Sequence, residues 1–377
     1  MQRRILLSAF LAFLVFLAAA SPGTTAPARA DTAEIVKRGL IECFPAGLKT
    51  KKGKARHCEA SAVVYLEHQK RLIVAIDKAL PKKFSPVFSL SFRSLEDTPA
   101  VETYFKHALF EKTRKIEGMT VTPDGETVFA TTAFDRISCD TPKRDRYNRL
   151  LSWPARNRGA VSLVNPSERG GRKSSRPLRA VFAKALSIRQ CPEPGYAKIE
   201  GLAALPGNKL LFGVREHGTS HEDFSYVVKI LEADYAVKGG VPFIPAQTPR
   251  LYDAGPLSVP GGYAVGLSGI EYDKYNKRLY LLTSFETAKT DEGLGAFLWV
   301  LTLERYRAGQ PPLPVRDRTG RHIMFAHKAE GLAVLDKKHI MAIHDDDRVL
   351  GRDRIDDLRT QFRREPHQAA FTIVRFD

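Results

Sequence analysis

Apolar residues along this chain gather in short runs separated by polar turns, and five stretches repeat one arrangement. The first is Glu59-Ala-Ser61-Ala-Val-Val-Tyr followed by Arg71-Leu-Ile-Val-Ala-Ile-Asp77. The second pairs Glu117-Gly-Met-Thr-Val with Thr127-Val-Phe-Ala-Thr-Thr-Ala-Phe-Asp135. The third pairs Glu200-Gly-Leu-Ala-Ala with Lys209-Leu-Leu-Phe-Gly-Val-Arg215-Glu216, and the fourth pairs Ser268-Gly-Ile-Glu-Tyr with Arg278-Leu-Tyr-Leu-Leu-Thr-Ser-Phe-Glu286. The fifth joins Glu330-Gly-Leu-Ala-Val to His339-Ile-Met-Ala-Ile-His344-Asp345. Each predicts a short strand, a polar turn and a second apolar strand that ends in charge. The turns carry Pro123-Asp124-Gly125, Pro206-Gly207-Asn208 and Tyr275-Asn276-Lys277, residues suited to tight reversals.

The repeats start at 59, 117, 200, 268 and 330, so the gaps are 58, 83, 68 and 62 residues. The tail after Glu330 and the head between residue 31 and Glu59 together supply about one more gap. That spacing closes a ring of units whose last member is shared by the two ends of the chain, as in a β-propeller of roughly four-stranded blades. The expected fold is all-β, a five-bladed β-propeller with little helix, with residues 31–377 forming one domain. Ala370 to Arg375 would complete a blade beside Ile35 to Cys43. A sixth blade hidden in the long second repeat is the alternative. No long amphipathic helix separates the strands, which excludes a parallel βαβ fold. The segment from Lys143 to Arg179 holds eleven Lys and Arg against two acids and reads as an irregular, mobile or lid-like basic insertion. A peripheral helix is expected near Arg354 to Arg364.

Arg3 and Arg4 precede an apolar run from Ile5 to Ala20, and Ala28-Arg29-Ala30 offers a small-x-small site. Residues 1–30 therefore read as a secretory signal peptide cleaved before Asp31, or near Ala20, and the protein is expected to be periplasmic or secreted. No later run is long enough for a membrane span. The chain has 59 Lys and Arg against 42 Asp and Glu. Losing Arg3, Arg4 and Arg29 with the leader would leave 56 against 42, a charge of +14. Export permits disulfides. Cys43 with Cys58 and Cys139 with Cys191 are the expected pairs, each flanking a basic loop, although four Cys allow three pairings and free thiols are the alternative.

Rotation about a propeller axis brings the first residue of each innermost strand toward one point. Those positions hold Glu59 or Ser61, then Glu117, Glu200, Ser268 and Glu330. Carboxylates crowded in a narrow channel must regain protons or share a cation. Oxygen ligands in a ring wide enough for six to eight donors favour Ca²⁺. The competing account has these glutamates merely opening strands and bonding backbone amides.

These openings resemble the phytase-like (esterase-like activity of phytase) propeller domains of exported bacterial proteins. The cyclic order Ser61, Glu117, Glu200, Ser268, Glu330 is also similar to the calcium ring of the calcium-activated nucleotidase (apyrase) family, a five-bladed propeller. That resemblance selects Ser61 over Glu59 as the first ligand. It covers the inner two strands of every blade and none of the loops. It implies a metal-dependent hydrolase of phosphate esters or anhydrides, whose Ca²⁺ polarises a phosphoryl or ester oxygen. An anionic substrate then needs cationic clamps, for which the strand ends offer Lys78, Arg136, Arg215 and Arg348. Asp135, Glu216 or Asp345 is the candidate general base. Ordinary Asp–Arg turn pairs on a solvated rim are the plain alternative, and Asp345-Asp346-Asp347 is a weak second cation candidate. No Gly-x-Ser-x-Gly elbow, His-Glu-x-x-His, Walker loop or dinucleotide fingerprint occurs. The rival to an enzyme is a monomeric, calcium-stabilised binding or scaffold propeller, with anionic cell-envelope polymers as partners. Tyr147 and Trp153 do not make a stacking platform for nucleic acid.

Overall fold

The computed structural model describes residues 31–81, 83–287, 293–345 and 364–377. The expected leader, Asp346, Asp347 and Arg348 lie outside these residues, as does all but Arg364 of the expected peripheral helix.

Five antiparallel sheets of four or more strands surround one axis, and the chain is an all-β, five-bladed propeller. Blade one runs outward through Ala60–Leu66, Arg71–Ile76, Val87–Ser91 and Ala100–Tyr104. Blade two follows with Ile116–Val121, Thr127–Thr132, Leu150–Pro154 and Ser162–Leu163. Blade three contains Tyr196–Leu205, Lys209–Gly218, Phe224–Asp234 and Arg250–Asp253. Blade four contains Gly266–Asp273, Arg278–Glu286, Leu294–Thr302 and Leu313–Pro314, with Met324–Phe325 also pairing to its third strand. Blade five contains Ala329–Val334, His339–His344, Gln368–Phe376 and, at its outer edge, the N-terminal strand Ala33–Glu42. The two ends of the chain thus share one blade, and the innermost strands touch one another in a closed cycle.

Alternation along the strands explains why these segments look almost continuously apolar. Successive side chains point to opposite faces, and each face of a blade meets a neighbouring blade. Val63 and Val74 enter the core between blades five and one, while Val64 and Ile73 enter the core between blades one and two. The same division repeats around the ring, giving one apolar cluster per blade interface.

The basic stretch from Lys143 to Arg179 is not the irregular lid that its charge suggests. It supplies the two outer strands of blade two, a hairpin of Ser167–Arg169 with Arg172–Ser174, and the start of the helix Pro177–Ala185. That helix buries Leu178 and Phe182 between blades two and three, so the long second repeat contains no sixth blade. Its arginines serve as staples: Arg179 donates to the carbonyls of Phe134 and Gly195, and Arg169 binds Asp145 at 2.8 Å. Cys43–Cys58 and Cys139–Cys191 are both disulfides, the two pairs expected to flank basic loops. Two disulfides fit an oxidising compartment outside the cytoplasm. Among the described residues no helix is long and apolar enough to cross a membrane.

Candidate functional site

Every innermost strand slips register by one residue near its start. The residue at the slip is Ser61, Glu117, Glu200, Ser268 or Glu330, one in each blade. A β-bulge leaves its extra residue outside the ladder and re-aims the side chain. Five equivalent bulges therefore place these five side chains at the same end of the ring. In four blades the next residue is Gly, because the following blade approaches there. A Cβ on Gly269 would lie 2.4 Å from the carbonyl oxygen of Glu330, and one on Gly118 would lie 3.0 Å from the Leu202 amide nitrogen.

The two serines bridge blades. Ser61 Oγ donates to the carbonyl of Ile116 at 2.7 Å, and Ser268 Oγ to that of Ala329 at 2.8 Å. Each accepting residue immediately precedes the bulged glutamate of the next blade.

The three glutamates meet cations of their own strands. Lys115-Ile-Glu117, Lys198-Ile-Glu200 and Lys328-Ala-Glu330 share an i, i+2 spacing, which puts amine and carboxylate on one strand face. Lys115 is 3.5 Å from Glu117, Lys328 is 2.8 Å from Glu330, and Lys198 contacts Glu200 more closely still. Arg215 is 1% exposed and donates from Nη1 to both oxygens of Glu200 at 2.8 and 3.0 Å, with Glu330 3.7 Å away. A second acidic ring closes the second strands: Asp77, Asp135, Glu216, Glu286 and Asp345. Asp135 binds Lys115 at 2.8 Å, Glu216 accepts from the Tyr196 hydroxyl at 2.5 Å, and Asp77 and Glu59 share Lys78.

These side chains surround a cavity of about 320 Å³ at the channel mouth. Of the residues proposed from sequence, Lys78, Glu117, Arg136, Arg215, Glu216, Glu330 and Asp345 line it. Glu200 lies behind Arg215 and Lys198, Asp135 behind Lys115, and Ser61 and Ser268 are buried between blades. Sequence reasoning omitted Lys115, Lys198 and Lys328, although the threefold Lys-x-Glu-Gly repeat was there to be seen. It also omitted Arg114, Tyr147 and Glu286, which line the same cavity.

Charge balance sets the protonation of the mouth. Glu200 is buried, yet Arg215 and Lys198 hold its carboxyl down at about 2. Asp135 is likewise buried and held low by Lys115. Burial, with repulsion from Glu200 and Glu117, outweighs Lys328 and raises Glu330 to about 8. Burial, with Glu59 and Glu117 nearby, raises Asp77 to about 7 despite Lys78. One oxygen each of Asp77, Asp135 and Glu330 is buried with no hydrogen-bond partner. The mouth thus combines seven cationic side chains with six carboxyls, two of which, Asp77 and Glu330, burial pushes toward neutrality.

A calcium cage does not fit this arrangement as it stands. The carboxylates turn toward ammonium and guanidinium groups rather than toward one another, and among the described residues no three Asp, Glu, His or Cys side chains gather to hold a metal ion. Lysines meet the electrostatic need that a cation among crowded carboxylates would otherwise meet.

No protein-family model matches the chain, and no curated relative does. Solved structures with a similar outline include the RRP9 WD40 repeats, at 10% identity and a TM-score of 0.38, covering 93% of this chain and 99% of that one. A member of the DUF4221 family from Bacteroides vulgatus matches at 8% identity and a TM-score of 0.40, covering 92% and 99%. A luciferin-regenerating enzyme matches at 10% identity and a TM-score of 0.37, covering 85% and 92%.

Proposed function

We propose that this chain is an exported propeller, periplasmic or secreted, whose channel mouth binds a small phosphate-bearing anion and hydrolyses its ester or anhydride bond. The observation that supports this most is the mouth itself: a small cavity lined by seven cations, Lys78, Arg114, Lys115, Arg136, Lys198, Arg215 and Lys328, and by six carboxyls, of which burial raises Asp77 to about 7 and Glu330 to about 8. The exposed rim residues Lys78 and Arg136 would meet the phosphate first, Arg136 being braced over the Tyr147 ring at 5.0 Å. A carboxyl titrating near 7 suits proton transfer at neutral pH. Asp77 in its ionised form would take the proton of the attacking water, and protonated Glu330 would give its proton to the leaving oxygen. Asp135 is better suited to holding Lys115, and Glu216 to orienting Tyr196, than to acting as the base.

The test is turnover of an aryl phosphate, a nucleoside diphosphate, phytate and an aryl acetate by purified protein, in chelator and in calcium. Phosphate release in chelator, lowered by about 100-fold or more in Asp77→Asn, is the expected result. No turnover and no anion binding under either condition would end the reading.

The fivefold recurrence of a bulged oxygen side chain favours a second reading, a non-catalytic, calcium-stabilised binding propeller for anionic envelope polymers. Ser61, Glu117, Glu200, Ser268 and Glu330 would hold the ion, once Lys115, Lys198, Arg215 and Lys328 had swung away. A melting temperature raised by calcium, with no turnover of any substrate, would favour it.

A further inference from the structure

A larger cavity of about 900 Å³ lies outside the channel. It opens to solvent and is lined by the Ala108–Lys112 helix, the outer strand Ser162–Leu163 of blade two and the 167–174 hairpin. Lys112, Arg114, Arg146, Arg149, Arg172 and Lys173 line it, and no carboxylate does. Among the described residues none of these six forms an ion pair. Arg149 is only 4% exposed, and its guanidinium is satisfied by neutral acceptors: the Lys173 carbonyl at 2.9 and 3.1 Å and Thr113 Oγ1 at 3.0 Å. The neighbouring Asp145 is committed to Arg169 at 2.8 Å. Arg114 and Arg172 likewise donate to carbonyls, those of Glu111 and Thr113 and those of Pro142 and Lys143, so neutral acceptors hold three of the six cations while no carboxylate balances any of them. Burying positive charge with no counter-charge is costly. Burial, with Arg114 and Arg146 close by, brings the Arg149 pKa down to about 10. Leu109, Val161, Leu163 and Val241 add apolar lining.

We propose that this cavity is a ligand site separate from the channel mouth, taking a phosphate monoester whose charged group meets Arg114, Arg146 and Arg149 and whose apolar body lies along Leu109, Val161 and Leu163. An anion here supplies the charge the guanidiniums lack, and arginine forks suit phosphate oxygens. Apolar walls add affinity with each methylene covered. The site stands independently of any chemistry at the mouth, and it shares only Arg114 with that cavity.

Titration calorimetry on the full chain with decyl phosphate, below its micelle concentration, and with inorganic phosphate tests this. Decyl phosphate should bind at least about tenfold more tightly than inorganic phosphate. The double variant Arg146→Glu, Lys173→Glu changes two exposed side chains. It should keep the wild-type melting temperature and lose at least about tenfold in decyl phosphate affinity. The control Lys51→Glu, Lys52→Glu reverses the same number of charges at exposed positions that line neither cavity, and it should leave that affinity unchanged. Equal affinity for the two phosphates, an unaffected double variant, or an equal loss in the Lys51→Glu, Lys52→Glu control would each overturn the proposal. Co-sedimentation with phosphatidic acid vesicles, abolished in the double variant, would assign the monoester to a lipid headgroup. Decyl phosphate binding without co-sedimentation would assign it to a soluble ester. Failure of both overturns the site and leaves the reading of the mouth as it was.

Discussion

Glu330 shows how one side chain reports the charge balance of the whole mouth. Its carboxyl lies beside Lys328 at 2.8 Å, yet burial and the nearby Glu200 and Glu117 raise it to about 8. A raised folded pKa means the folded chain holds a proton that the unfolded chain releases near the usual glutamate value. The corresponding stability is complete below that value and is lost as pH rises through about 8. Glu330→Gln cannot ionise, so it should gain on the wild type between about pH 5 and pH 8. Each pKa unit is worth about 1.4 kcal/mol, so the gain should exceed that figure. Chemical denaturation of both proteins across this window reads it directly, and a constant difference would show that Glu330 stays ionised throughout. The five axial residues were legible in the sequence because they repeat with the blades. Their lysine partners were passed over because a search for oxygen ligands does not ask what sits two residues away, although alternation makes Lys115 and Glu117, or Lys198 and Glu200, face-mates.

At the scale of the strand, the glycine after each bulge governs how close neighbouring blades come. Gly269 is the tightest case, since an added Cβ would meet the Glu330 carbonyl, a backbone atom that no side-chain rotation can move. Gly269→Ala should therefore cost about 1–3 kcal/mol by overpacking, with Glu330 displaced in the process. Gly159→Ala is the matched control, where the added carbon meets only the Asn157 side chain at 3.3 Å, and it should stay within about 0.5 kcal/mol of wild type. Equal melting temperatures for the two variants would mean that blade approach does not limit the ring. The paired strands of each repeat were readable because both faces are buried and the run is apolar. The stretch from Lys143 to Arg179 was not. Arg149 and Arg179 donate to carbonyl oxygens and Arg169 to carbonyls and Asp145, and composition alone cannot distinguish a stapling arginine from a solvated one.

Closure governs the molecule as a whole. The ring is sealed by Ala33–Glu42 pairing with Gln368–Phe376, and the Cys43–Cys58 disulfide stands at the end of that seam. Both cysteine amides bond to the chain just before the final strand, Cys43 to the His367 carbonyl and Cys58 to that of Pro366. Spacing arithmetic was enough to expect five blades and a shared one, because closure depends on chain length and repeat count rather than on any single contact. The energetics of the two disulfides separate accordingly. Chain entropy assigns Cys43–Cys58, 15 residues apart, about 3 kcal/mol, and Cys139–Cys191, 52 residues apart, about 4 kcal/mol. Replacing Cys139 and Cys191 with Ala should therefore lower the melting temperature more. Replacing Cys43 and Cys58 should act locally instead, because it frees the strand that closes the ring. Amide exchange in Gln368–Phe376 should rise in the Cys43→Ala, Cys58→Ala protein and stay at the wild-type rate in the other. Equal exchange in the two variants would mean that strand pairing alone holds the seam, with the disulfide serving only the loop it encloses.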